Sequence, residues 1–112
     1  MLNQIVLVGR LTRDPELVTT ENGRKYTTVT IAVPRAYKNS EGLYDTDFIR
    51  CILWNGVAAS TTEYCHCGDI VGIKGRLEVK NYEDSEKNKK TITEVIAEKV
   101  TFLSSSNTKK EG

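Results

Sequence analysis

Ile5-Val6-Leu7-Val8 is an unbroken apolar run closed by Gly9, the pattern of a strand buried on both faces. Residues 10–16 are polar and carry the turn pair Asp14-Pro15, and Glu21-Asn22-Gly23 supplies the Asn-Gly of a tight hairpin. Over 26–33 the period is two. Val29, Ile31 and Val33 take one face, Thr28 and Thr30 the other, and Pro34 is expected to end the strand. A polar loop around Gly42 leads to a third strand at 47–54, rich in aromatic and branched residues. Residues 56–64 suit a helix of about two turns, with Gly68 placed to stop it. Residues 70–80 alternate again, with Val71, Ile73, Leu77 and Val79 on one face. A charged loop at 83–90 precedes a last strand over 91–102, expected to bend near Lys99.

Five strands with one short helix between the third and fourth is the element order of the OB-fold, an all-β five-stranded barrel. A sandwich would need about seven strands. The 112 residues form one domain, with the barrel over 1–103 and a disordered polar tail over 104–112. Charge is nearly balanced, 16 Lys+Arg against 15 Asp+Glu. A protein held to nucleic acid by counterion release alone would be far more basic, so any such ligand needs another source of affinity. Three unevenly spaced cysteines argue against a disulfide framework and for a reducing, cytoplasmic setting. With no apolar run near ~18 residues and no basic leader before the first strand, neither a membrane partner nor a secretory signal is expected.

That other source of affinity is visible in the third strand. Ile49, Cys51 and Leu53 form its core set, which leaves Phe48, Arg50, Ile52 and Trp54 on the opposite face. Water-facing Phe and Trp are costly unless a partner covers them. The fourth strand shows Lys74, Arg76, Glu78 and Lys80 on its even face, and the same parity reaches Tyr82. Tyr37 follows the second strand between Arg35 and Lys38. Unpaired bases stack on aromatic rings for roughly 1–3 kcal/mol each while nearby cations follow the phosphates, and duplex bases are already stacked on one another. The candidate ligand is therefore single-stranded nucleic acid. The alternative is that Phe48 and Trp54 pack in a subunit interface, which also favours aromatics.

Other constellations carry less. Cys65-His66-Cys67 cannot direct three adjacent side chains at one tetrahedral ion, and Cys51 lies on the core face, so no metal or cofactor is expected. His66, the one histidine, has no evident acid or nucleophile to serve, and no enzyme is expected. Gly72-Ile73-Lys74-Gly75 lacks the spacing of a phosphate loop. Glu83, Asp84 and Glu86 suit a solvated loop tip.

Four stretches together resemble bacterial single-stranded DNA-binding proteins. They are the opening from Asn3-Gln4-Ile5-Val6-Leu7-Val8-Gly9-Arg10 to Asp14-Pro15-Glu16-Leu17, the strand Asp47-Phe48-Ile49-Arg50-Cys51-Ile52-Leu53-Trp54, the segment Gly68-Asp69-Ile70-Val71-Gly72-Ile73-Lys74-Gly75-Arg76-Leu77, and the closing Thr93 to Leu103. The resemblance implies an OB barrel in a homotetramer that binds single-stranded DNA with little sequence preference in replication, repair, recombination or uptake. It assigns base stacking to Tyr37, Phe48, Trp54 and Tyr82. The cations expected to follow the phosphates are Arg10, Arg35, Lys38, Arg50, Lys74, Arg76 and Lys80. Two departures stand out. Tyr37, Phe48 and Tyr82 stand where many members carry Trp, and Trp54 where Phe is common, so stacking area differs. The chain also ends without the acidic, Phe-terminated tip that recruits replication and repair enzymes, either by truncation or as a short, tailless member. Two competing readings are a scaffold barrel that binds a protein through its aromatic face, and an oligosaccharide-binding barrel, which would not depend on Arg50 or Lys74.

Overall fold

The computed structural model describes residues 1–105. Its elements are β1 (Ile5–Leu11), β2 (Val18–Thr19), β3 (Lys25–Lys38), β4 (Tyr44–Trp54), α1 (Asn55–Tyr64), β5 (Ile70–Glu83) and β6 (Lys89–Ser104). The sheet runs β1-β5-β6-β4-β3 and closes because β1 also pairs with β3, at Arg10–Ala32 and Leu11–Ile31. Five strands thus make the barrel of an OB-fold, and β2 is a two-residue annex on β3. Among the described residues, only β4 and β6 run parallel.

Leu11, Val29, Ile31, Cys51, Leu53, Val71, Ile73, Val95 and Ala97 fill the barrel, joined by Ala58 of α1 and by Cys65. Each buried aliphatic side chain contributes about 1.5–3 kcal/mol. Alternation does the sorting, since the residue on either side of each core position must face outward.

The pattern misleads in five places. β1 is not buried on both faces: Ile5 and Leu7 turn inward, but Val6 and Val8 are exposed beside their cross-strand partners Lys74 and Gly72. Gly9 does not close β1, which continues through Arg10 to Leu11. Gly9 is instead a close approach, where a Cβ would meet the Ala32 carbonyl oxygen at 2.7 Å. Pro34 does not end β3. Beyond it the register slips, the four steps from Pro34 to Lys38 facing two from Thr46 to Tyr44, so its missing N–H falls where the ladder is already irregular.

Gly68 does not stop α1. The helix ends at Tyr64, and Cys65 turns to extended backbone with its N–H on the Thr61 oxygen. Gly68, at φ 90°, serves the following turn, where its N–H reaches the Leu11 oxygen at 2.8 Å. Leu77 and Val79 lie outside the core, exposed on a β5–β6 hairpin that outruns the barrel. The bend expected near Lys99 coincides with a bulge: Lys74 faces Lys99 but Gly75 faces Ala97, leaving Glu98 extra.

The two long hairpins extend the molecule. Its radius of gyration is 16.0 Å, against about 13 Å for a compact chain of this length. β6 runs to Ser104, opposite Ile70, which is one residue into the expected tail. Of that tail, 106–112 lie outside the described residues.

Candidate nucleic-acid interface

Cross-strand partners share a face, so the β3–β4 register builds the outer surface directly. Tyr26 pairs with Trp54, Thr28 with Ile52, Thr30 with Arg50 and Ala32 with Phe48. The core pairs, Thr27–Leu53, Val29–Cys51 and Ile31–Ile49, alternate with them. Phe48 is therefore held outward by the same parity that buries Cys51, and it is 68% exposed. Trp54 is half-buried, against Tyr26 at 5.2 Å between centroids and beneath the Arg24 guanidinium at 4.2 Å. Arg50 stands exposed between these two rings.

The face continues across the barrel. Ile52 lies beside Ile96 on β6, and Ile96 pairs with Arg76 on β5. By β5 parity, Lys74, Arg76, Glu78, Lys80 and Tyr82 follow along this side. Tyr82 is 49% exposed, near the tip of the β5–β6 hairpin opposite Lys90. Tyr37 is 67% exposed in the slipped segment of β3, next to Lys38.

The candidate cations differ among themselves. Arg35 donates from Nε and one terminal nitrogen to Asp47 at 3.0–3.3 Å and lies 3.8 Å from Asp45. Both carboxylates have core-side parity on β4, so Arg35 sits across the hairpin from Phe48. The hydrogen bonds raise the Arg35 pKa and hold Asp47 below the usual carboxylate range. Arg76 is paired with Glu78 at 2.9 Å and Glu98 at 3.0 Å, which raise its pKa. Lys80 lies 3.1 Å from a buried oxygen of Glu94, close but without hydrogen-bond alignment. Arg10 donates to the Gly68 oxygen at 2.6 Å, bracing the turn after the helix. Lys38 lies 5.8 Å from the Tyr44 ring centroid. Lys74 is exposed beside Val6.

The structure adds side chains that alternation along the chain does not single out. Arg24, Tyr26 and Tyr44 extend the ring clusters. Arg13 joins Arg50, Tyr26, Thr28 and Thr30 around an open cleft of about 550 Å³ between the segment after β1 and the outer sheet face. Tyr26 was accessible to reasoning, since it shares parity with Thr28 and Thr30. Arg24 was not, because its place over Trp54 depends on the β2–β3 turn, where Thr20 and Arg24 exchange hydrogen bonds.

At the helix end, Cys65 is buried, His66 donates its N–H to Asp69 at 2.8 Å, and Cys67 donates its N–H to Asp14 at 2.7 Å. The first of these bonds closes the turn and the second ties it to the segment after β1. Among the described residues, no group of three His, Cys, Asp or Glu side chains is arranged to hold a metal ion, and no helix is long and apolar enough to cross a membrane.

A model of the single-strand binding protein family matches residues 2–103. The single-stranded DNA-binding protein B of Bacillus subtilis is 43% identical over 103 residues, which cover 92% of this chain and 91% of that protein. The single-stranded DNA-binding protein of Bacillus cereus is 43% identical over 107 residues, 96% of this chain and 63% of its own length. Protein A of B. subtilis is 44% identical over 107 residues, 96% of this chain and 62% of that protein. The chain thus spans less than two thirds of the two longer relatives and nearly all of the shorter one.

Proposed function

The chain belongs to the single-strand binding protein family, and on that premise we propose that it binds single-stranded DNA with little sequence preference, protecting it during replication, repair, recombination or uptake. Bases stack on Phe48, Trp54, Tyr37 and Tyr82, and phosphates run beside Arg50, Lys74 and Lys38. Arg10, Arg35, Arg76 and Lys80 serve less directly, because each already has a partner inside the chain. The observation that carries this reading is the position of Phe48, exposed on the outer sheet face with Arg50 between it and Trp54. The relatives are named as DNA-binding proteins, and this chain is read likewise as a binder and not a catalyst. Residues 1–103 are taken as the binding domain, close to the span that the family model matches. Three cysteines with no disulfide among them, two of them buried, suit a reducing cytoplasm.

Titration with oligo-dT tests the reading through Trp54 fluorescence. Quenching that saturates and persists at moderate salt is expected, since stacking does not depend on counterion release. No quenching and no gel shift at low salt would overturn it.

The family resemblance further supports a homotetramer. β1 has exposed Val6 and Val8, and over 5–9 it pairs on one side only, with β5. A second copy would cover both the side chains and the open edge. Light scattering should give four times the chain mass, and a monomer at micromolar concentration would refute this assembly.

A further inference from the structure

Between the ring cluster at Trp54 and the ring of Tyr82, the outer face is not basic. Arg76 is flanked by Glu78 and Glu98, and Lys80 by Glu94, which makes three carboxylates for two cations. Both terminal nitrogens of Arg76 donate to carboxylate oxygens, at 2.9 and 3.0 Å, although the side chain is part-exposed. Glu94 is 8% exposed, and its neighbours Ile52 and Ile96 are buried although they face outward. The stretch is therefore a settled network across the middle of the path proposed above for DNA.

Such a network is a poor phosphate site. Exposed ion pairs are weak, so a phosphate could displace a carboxylate from Arg76 at small cost. The displaced carboxylates would nonetheless remain within a few ångströms of the phosphate and repel it. The penalty grows with charge density, and a duplex carries two phosphates per base-pair rise where a single strand carries one. A single strand also gains by stacking unpaired bases on the rings at either end, which a duplex cannot do.

We propose that Glu78 and Glu98 are specificity-determining residues: by neutralising Arg76 they remove phosphate attraction that would hold any polyanion, so that the face retains chiefly ligands with unpaired bases. This rests on the single-strand reading above and assigns the source of its selectivity.

The test uses the full chain, a labelled dT oligomer and a labelled blunt duplex of equal length, with anisotropy followed across a salt series. Glu78→Gln/Glu98→Gln should bind the duplex about tenfold more tightly than wild type at low salt. Its salt dependence should steepen by about 0.9 in log-log slope for the duplex and about 0.7 for dT, the increments for one freed cation. At high salt its dT affinity should stay within about twofold of wild type, because stacking is untouched. Adding Arg76→Gln should return duplex affinity and slope to wild-type values, which a merely structural role for the glutamates would not do. Glu98→Gln alone, at an exposed position, should show the same changes in smaller measure should the double variant fail to fold. Unchanged duplex affinity and slope in a folded variant would overturn the proposal, as would equal gains for duplex and dT at all salt concentrations. Failure of wild type to bind dT would instead bring down the single-strand reading itself.

Discussion

The Arg24 guanidinium lies 4.2 Å from the centroid of the Trp54 ring, the surface that a stacking base would need. A cation over an indole that is still partly open to water is worth about 0.5–1 kcal/mol. An arriving base must displace it, and at low salt the freed Arg24 can turn to a phosphate. At high salt that compensation is screened. Arg24→Ala should therefore bind oligo-dT roughly two- to fivefold more tightly than wild type at high salt, and no more tightly at low salt. Its Trp54 emission should shift to the red in the free protein. Fluorescence titration at two ionic strengths checks both outcomes.

Phe48 and Trp54 share a face but not an environment. Phe48 is mostly exposed, whereas Trp54 packs on Tyr26. Phe48→Ala should lose about 1–3 kcal/mol of DNA binding, roughly 5- to 150-fold. Its urea midpoint should move little, because few native contacts go with the ring. Trp54→Ala should lose comparable affinity and also about 2 kcal/mol of stability. Equal destabilisation by both substitutions would mean that Phe48 is covered, as in the subunit-interface alternative.

The contrast shows what alternation conveys and where it stops. Period two told inside from outside where apolar and polar residues alternate in the barrel wall, so Cys51, Leu53, Val71 and Ile73 were legible as core, and Phe48, Arg50 and Trp54 as surface, whereas the unbroken apolar run of β1 hid the exposure of Val6 and Val8. It could not say how far the wall extends. Leu77 and Val79 continue the parity of Ile73 yet emerge into solvent, because the β5–β6 hairpin outruns the barrel. Charge showed a similar limit. Arg76 and Lys80 read as free cations along β5, but their carboxylates include Glu94 and Glu98 on β6, brought alongside only by the hairpin register and its bulge. Arg35 meets its acids only through the β3–β4 register.

Gly75 is required by the bulge that turns β6. A Cβ at this position would run into the Ile96 carbonyl oxygen, and main-chain oxygen cannot swing aside as a side chain can. Gly75→Ala should cost about 3 kcal/mol, the upper end for overpacking. Gly72, three residues earlier on the same strand, makes the control. A Cβ there would meet only Leu103 Cδ1 at 3.6 Å, an ordinary contact. Gly72→Ala should leave stability within about 1 kcal/mol of wild type. Urea denaturation of the two variants side by side measures the difference.

The three thiols should separate by burial. Burial pushes the Cys51 thiol up to about 11, and burial with the nearby Asp69 charge raises Cys65. The thiolate is the reactive form, so both should resist a disulfide reagent until the barrel unfolds, while exposed Cys67 reacts on mixing. The raised Cys51 value also fixes a sign. Folding favours its neutral thiol, so the stability it contributes is complete below the ordinary thiol range near 9 and is lost as pH rises through about 11. Urea midpoints of wild type should therefore decline over that alkaline window. Cys51→Ala, although less stable overall by about 1 kcal/mol, should show a flatter decline there. A parallel decline in both proteins would assign the alkaline loss to other groups.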